Sequence, residues 1–278
     1  MAVRATRTRL AMLTAALVLG AVAVTAEDKL VSRDTDMSVR DIVTALFKAK
    51  PGEPLDFSHR NLAYLDLAGV NFKRANLAGS DLYGVDFTGS NLRGTNLADT
   101  RLDRAVLIRA DLSGANLAGA TLLRPTIYSD LSKNASDAPS FAGASLAGAR
   151  VMAHLSGADF HGTDLSGADF RPQEARENGG GVTSLAGSAL EGCNFERAIL
   201  RAANLQGARL SFANFAGADL TGADLSHTDL SRADLTDADL SNANLTGADL
   251  DGANLLRVKG LETVKGLATA HNFERTIR

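Results

Sequence analysis

Carboxylates are the first candidates for chemistry in this chain. Between Asp219 and Asp251 eight aspartates stand against one arginine, Arg232. Such a run could present an acidic surface to a basic partner or to cations. His154 and His161 lie close to Asp159 and Asp164 in sequence, and imidazole with carboxylate is a donor set that can hold a metal. Cys193 is the lone thiol, and a thiol becomes a nucleophile only where its surroundings stabilise the thiolate. The strings that would place such groups in a reaction are missing. No glycine-rich phosphate loop stands between a strand and a helix, no HExxH occurs, and the Gly-x-Ser strings sit in repeats, without a strained elbow. The residues alone supply no catalytic constellation, no cofactor site and no metal site.

A five-residue rule positions these groups. From Ala218 to Leu255 a leucine falls at 220, 225, 230, 235, 240, 245, 250 and 255, with Ala or Thr two residues before it and Asp or Asn one before it. A step of five would scatter leucines around a helix. Five is also odd, so a straight strand would send them to alternate faces. A short extended piece followed by a bend satisfies the pattern. Ala and Leu are two apart and point the same way, while the Asp or Asn between them points to water. Ser, Thr and Gly complete the turn. The chain is therefore expected to keep bending in one sense, with Leu77, Leu112, Phe160, Phe195, Phe215, Leu225 and Leu245 among the inward residues. Cys193 takes the inward alanine position of its unit and reads as a small buried hydrophobe. His154 and His161 fall at different places in their units and are expected on different sides, without a shared metal. Leu225→Asp should unfold several coils, and Asp224→Ala should be near neutral.

The unit recurs over about 200 residues, as in Ala75-Asn76-Leu77-Ala78-Gly79, and it resembles the pentapeptide-repeat proteins. The resemblance implies an all-β solenoid, a right-handed quadrilateral β-helix with four units per square coil. Units four apart then stack, placing Asp219 over Asp239 and Asp229 over Asp249, like charges that oppose stability. About nine coils at strand spacing would make a rod of roughly 40–45 Å. Some pentapeptide-repeat proteins resemble DNA in shape and charge and bind type II topoisomerases such as gyrase, and the aspartate run is the feature here that matches.

The ends and the breaks in the rule set the domain organisation. Residues 1–26 read as a signal peptide, with Arg4, Arg7 and Arg9, an apolar run from Leu10 to Val24 and a small-residue site at Val24-Thr25-Ala26. The run is short for a membrane span, so cleavage is expected, an uncleaved anchor being the other reading. Cleavage moves the formal charge from −3 to −6, which does not suit nucleic-acid binding. Residues 27–56 hold a polar lead and a capping helix opened by Ser38 and Asp41, with Val39, Ile42, Val43, Leu46 and Phe47 on one face. The repeat is expected over 57–255, broken by loops at 128–140 and 171–184, with a one-residue slip between Val151 and Leu155. Residues 256–278 read as a second cap of short helical turns.

Insertions in a solenoid map to surface loops, often on a binding face. Seven units separate the two loops, so they should leave from adjacent sides, and Tyr128, Lys133, Arg171, Glu174, Arg176 and Glu177 could form one mixed patch. Two independent insertions are the plainer alternative. Likewise Asp219, Asp229, Asp239 and Asp249 are either a partner surface or the wet face of the wall. The expected function is a non-catalytic exported scaffold, periplasmic or extracellular in a bacterium, for a protein partner of unknown identity. A homodimer is left open. The topoisomerase-binding DNA mimic is the alternative, opposed by the export signal, and an enzyme is disfavoured because neither loop holds His or Cys.

Overall fold

The computed structural model describes residues 35–50, 52–53, 55–129, 135–172 and 183–278. The signal segment lies outside them.

The chain opens with a ten-residue helix, α1 (Val39–Lys48). Ser38 and Asp41 form a reciprocal capping box. Asp41 N–H donates to Ser38 Oγ at 3.2 Å, and Ser38 N–H donates to Asp41 Oδ2 at 3.0 Å. Ile42 and Leu46 are buried against the first coils, and Lys73 Nζ donates to the Leu46 carbonyl at 2.6 Å. Only part of the expected apolar stripe is used. Val43 is 43% exposed and Phe47 85% exposed, because the helix rests on its Ile42–Leu46 edge.

From Asp56 onward each unit contributes one short side of a coil. Residues twenty apart pair in parallel, as in Asp56↔Asn76, Asn61↔Asp81, Asp66↔Asp86 and Asn71↔Asn91, so four five-residue sides close one turn. The four ladders are named here as sides one to four in that order. Within the regular wall the sides are tied in both directions. Leu225 N–H donates to Asn244 O and Asp224 N–H to Ala203 O, each at 2.9 Å, while the corner His227 N–H reaches Thr246 O at 2.8 Å. Backbone groups that no helix or sheet within one coil could satisfy are thereby paired between coils.

The interior is a column of Leu, Phe and small residues. Leu77, Leu112, Phe160, Phe195, Phe215, Leu225 and Leu245 are all buried. Phe141 stacks on Phe160, and Phe195 on Phe215, with ring centroids 4.8 Å apart in both pairs, close to strand spacing. Where Ser or Thr replaces the inward alanine, a carbonyl usually satisfies its hydroxyl, as when Thr100 Oγ1 donates to Leu97 O at 2.7 Å and Thr163 Oγ1 to Phe141 O at 2.9 Å, Ser90 Oγ being an exception.

Corners carry a second rule. The last residue of most units is left-handed, usually Gly, but His59, Tyr64, Asp99, Phe212, His227 and Arg232 also adopt positive φ there. A side chain at a corner lies along the axis over the corner one coil above. A Cβ on Gly247 would sit 2.6 Å from His227 Nδ1. Glycine is thus favoured at Gly247 by its φ of 66° and by the His227 side chain that fills the space beneath it.

The C-terminal segment differs from the expected helical cap. The ladders continue through Asp239↔Lys259, Asn244↔Lys265, Asp249↔His271 and Asn254↔Ile277. Residues 259–277 are therefore one more coil, with six residues per side instead of five. Three 3-10 turns, Leu261–Thr263, Leu267–Thr269 and Phe273–Arg275, absorb the extra residue at successive corners. The side-one ladder from Asp56 to Ile277 takes ten steps, about 48 Å at strand spacing, so the rod is one coil longer than expected.

Candidate functional site

Function is most legible where the wall departs from its rule, between Thr126 and Arg209. The first interruption lies between Thr126 on side three and Ser140 on side four. The second lies between Asp169 on side two and Ser184 on side three. They leave from adjacent corners, two levels apart. β1 (Thr121–Leu123), just before the first interruption, and β2 (Arg150–Met152), between the two, form a parallel pair with Leu122 opposite Val151. The one-residue slip is absorbed immediately after β2, where Arg150 and His154 begin sides only four residues apart.

The loop bases are tied to each other. Tyr128 Oη donates to the Ser156 carbonyl, and Ser156 Oγ lies 2.9 Å from Ser184 Oγ. The start of one loop and the return of the other thus meet a shared unit. Burial raises the Tyr128 phenol above its ordinary value, so it stays a neutral donor. At the second loop's departure, Asp169 Oδ2 is 2.8 Å from Arg171 Nη2, and Arg150 Nη1 donates to the Arg171 carbonyl at 2.8 Å. Burial opposes Asp169 ionisation, but its bonds to Arg171 and the Arg150 charge hold it below the usual carboxylate range. Lys133, Glu174, Arg176 and Glu177 lie outside the described residues, so only Tyr128 and Arg171 of the six expected patch residues are located.

On side four, next to the returns of both loops, an open groove of about 370 Å³ is lined by Asp159, His161, Ala189, Glu191 and Arg209 together with Gly157, Ala158 and Gly187. Its ladder reads Asp159, Ala189, Arg209. Ala189 stands where the rule asks for Asp or Asn, and its short side chain leaves the depression. Glu191 Oε1 accepts from Arg209 Nε, whereas Glu191 Oε2 is buried without a hydrogen-bond partner. Burial raises the Glu191 carboxyl, and the bonds from Arg209 and from its own backbone N–H, with the nearby Arg209 and His161 charges, outweigh it and hold the group below its ordinary value. Sequence reasoning missed this groove because Asp159 and Ala189 are brought together across the second loop.

The four aspartates of the acidic run do stack, as Asp219↔Asp239 on side two and Asp229↔Asp249 on side four. Their role is more than solvation. Asp219 Oδ1 accepts from Thr221 N–H at 3.2 Å, Asp229 Oδ1 from Ser231 N–H at 3.0 Å, Asp239 Oδ1 from Ser241 N–H at 2.9 Å and Asp249 Oδ1 from Asp251 N–H at 3.0 Å. Each outward Asp or Asn closes the following corner as an Asx turn. Asn adds a ladder along the axis, Asn76 Nδ2 to Asp56 Oδ1 at 3.0 Å and Asn96 Nδ2 to Asn76 Oδ1 at 2.9 Å. Cations also interrupt the run. Arg201 Nε pairs with Asp219 Oδ2, and Lys259 follows Asp239 on side two. Burial raises the Asp219 carboxyl, and its bonds to Thr221 and Arg201 bring it below its ordinary value.

His154 sits on side three and His161 follows Asp159 on side four. Among the described residues no group of His, Cys, Asp and Glu is arranged to hold a metal ion. Cys193 is buried, its thiol donates to Phe160 O at 2.8 Å, and burial pushes its pKa up to about 12. It is an inert part of the core.

Comparison with known proteins agrees with this geometry. The family model described as pentapeptide repeats matches in eight copies over residues 56–89, 86–122, 140–171, 183–217 and 218–257. The chain belongs to the pentapeptide-repeat family. Solved pentapeptide-repeat structures are right-handed quadrilateral β-helices. Similar solved structures include HetL, involved in heterocyst differentiation regulation in the cyanobacterium Nostoc, at 28% identity over 84% of this chain and 94% of that one, with a TM-score of 0.38. A pentapeptide-repeat protein of the Arabidopsis thaliana thylakoid lumen is 42% identical over 36% of this chain and 61% of that one, with a TM-score of 0.27. QnrB1, a plasmid-mediated fluoroquinolone resistance protein, is 18% identical over 80% of this chain and 92% of that one, with a TM-score of 0.35. No curated protein matches the chain.

Proposed function

We propose that this pentapeptide-repeat protein is an exported, non-catalytic scaffold whose partner docks across sides three and four, at the bases of the two loops. The observation that carries this reading is the gathering of departures from the rule. The Tyr128–Ser156–Ser184 seam and the Asp159–Glu191–Arg209 groove occupy neighbouring sides and levels. The regular walls instead commit their outward Asp and Asn to closing their own corners. That commitment, with Arg201 paired to Asp219, weakens the case for the acidic run as a DNA-like strip. Among the described residues no helix is long and apolar enough to cross a membrane. In this reading residues 1–26 direct export and are removed. Helix α1 lids the first coil, keeping an open strand edge from pairing with another chain.

The test has two parts. The native protein is recovered from fractionated cells and its N-terminus sequenced; a start near Glu27 in the envelope or medium supports export, and a chain starting at Met1 in the cytoplasm overturns it. Affinity capture from the same extracts then compares wild type with Ala189→Asp plus Tyr128→Ala. A partner held by wild type and lost from the double variant supports docking at the loop bases, while equal capture by both places the partner elsewhere.

A further inference from the structure

A second groove lies at the start of the rod, where the side-two ladder reads Asn61, Asp81, Arg101. About 280 Å³ of open space is lined by Thr35, Asn61, Tyr64, Asp81, Tyr83 and Arg101, among others. The wall departs from its rule here too. Tyr64 takes a corner that glycine holds one coil above, at Gly84, and its φ of 61° is one that bulky residues avoid. The Tyr64 residue is 63% exposed. Its ring lies over the Gly84 corner, where an added Cβ would sit 2.9 Å from Tyr64 Cδ1. It meets Tyr83 edge to face, with centroids 5.3 Å apart, and the Arg101 guanidinium carbon stands 4.3 Å from the Tyr83 centroid. Among the described residues neither tyrosine hydroxyl is hydrogen-bonded. At the rim Asp81 Oδ2 accepts from Arg101 Nη1 at 3.1 Å, with the two side chains 37% and 49% exposed. Asp81 Oδ1 accepts from Tyr83 N–H at 3.0 Å. Each carboxylate oxygen therefore keeps a lone pair, and the guanidinium keeps N–H groups, open to solvent.

We infer that this groove binds a neutral sugar, one pyranose ring lying on Tyr64 with its hydroxyls held by Asp81, Arg101 and the tyrosine hydroxyls. Charge is the first ground. Asp81 and Arg101 cancel within the lining, so neither a cation nor an anion is favoured. Asp103 Oδ2, 3.5 Å from Arg101 Nε, is not among the lining groups. The second ground is the exposed ring. An aromatic face carries partial negative charge and attracts C–H groups, which a pyranose presents on its own faces. The third is the rim, where an acceptor and a donor stand side by side and match hydroxyls that both donate and accept. A prolyl segment, another ligand of aromatic grooves, brings apolar rings and carbonyl acceptors but no N–H for Asp81. The space is slightly smaller than a typical ligand pocket, which suits one ring at a time. The inference goes beyond docking at the loop bases and does not depend on it, since it concerns another side at the other end of the chain.

The chain has three tyrosines and no tryptophan, so ring-labelled tyrosine gives three NMR signals, with Tyr128 as an internal control outside the groove. The probes are methyl β-D-glucopyranoside, methyl α-D-mannopyranoside, methyl N-acetyl-β-D-glucosaminide and the peptide acetyl-Pro-Pro-Pro-Pro-amide. The expected result is a saturable shift of Tyr64 and Tyr83 with at least one glycoside, in the millimolar range, while Tyr128 stays unmoved. Tyr64→Gly installs the residue the repeat prefers at that corner. It should leave the melting temperature at or above that of wild type and weaken binding about tenfold or more, read on Tyr83. Asp81→Asn keeps a residue the repeat accepts and should weaken binding several-fold through the loss of a charge-assisted bond. No saturable shift with any glycoside, or a response to the prolyl peptide alone, would overturn the inference. So would binding left intact by Tyr64→Gly, and a fall in its melting temperature would then assign the ring to packing. Loss of a partner at the loop bases would leave these titrations unchanged, so the two readings fail separately.

Discussion

Residues 210–255 and residues 126–209 are made from the same five-residue unit, yet they treat their outer surfaces differently. In the first stretch nearly every outward position is Asp or Asn, and the side chain bonds back to its own corner, as Asp224 Oδ1 does with Ser226 N–H at 3.0 Å. In the second the outward positions include Ser140, Arg150 and His154. Arg150 turns toward Asp169 and Arg171, and Ser140 Oγ lies 3.0 Å from Ser113 Oγ of the neighbouring coil. The contrast separates two uses of polarity. Regular polarity finishes the fold, and irregular polarity is free to meet something else. The most frequent residue is then the least informative about function.

The largest expected effect tests whether the inside of the regular stretch is as continuous as its outside. Leu225 is fully buried between Leu205 and Leu245 in the stack. Leu225→Asp places a charge there with no partner and should cost about 4 kcal/mol or more, read by urea denaturation. Because repeats depend on their neighbours, hydrogen exchange should rise over adjacent coils as well. A variant that denatures like Asp224→Ala would show that inside and outside have been exchanged.

Acid should weaken both stretches together. Asp219 and Asp239 in the regular wall, and Asp169 and Glu191 near the loops, all have carboxyls held below their ordinary values. Folded values below the unfolded ones of 3.8 for Asp and 4.5 for Glu mean stability that is complete above that range and is lost as pH falls through the lower folded values. Melting temperature should be flat near neutrality and decline below about pH 4. Added salt should change the neutral value little, since most of these pairs are at least partly exposed. Acid melts showing one stretch unfolding well before the other would break the symmetry.

Corner glycines distinguish strain from crowding. Gly247→Ala adds a Cβ at positive φ and against His227, for a combined cost of about 2 kcal/mol. Gly187, at a φ of 64°, has nothing within 4 Å of the added atom, so Gly187→Ala should show the strain alone, about 1 kcal/mol. Replacing His227 by Gly in the Gly247→Ala background should bring the two costs together. If they already agree, side chains at the corners do not crowd the coil above.

Much of this architecture was legible in the residues, and the misses have physical causes. Parity within a unit of five is enough to put Phe195 and Leu225 inside, because Ala and Leu two apart must share a face. The slip after Val151 is visible as a four-residue step. The aspartates' duty was available too, since Asp two residues ahead of a turn N–H is an Asx signature, but their alternation with leucine drew attention to water instead. At the C-terminus Leu255, Leu261, Leu267 and Phe273 recur every six residues. Read as a helix that spacing is weak, and read as a wider side it fits the last coil. The groove had no sequence signal, because Asp159 meets Ala189 only through a loop whose length sets the register.

The smallest effects on stability bear most directly on what the two stretches are for. Asp224 Oδ1 accepts from Ser226 N–H and from Asn244 Nδ2, at 3.0 and 3.1 Å. Asp224→Ala should therefore cost about 1 kcal/mol, correcting the near-neutral expectation from parity alone. Ala189→Asp makes the reverse change in the interrupted stretch. The backbone of side four already accepts Asp at the levels of Asp159 and Asp229, so Ala189→Asp should shift stability by no more than about 0.5 kcal/mol while closing the groove. Denaturation midpoints would decide between the two. If Ala189→Asp proves as costly as Asp224→Ala, the alanine is there for packing. If it leaves stability unchanged and weakens capture of the partner, the missing carboxylate at 189 is the feature that turns a stretch of wall into a binding surface.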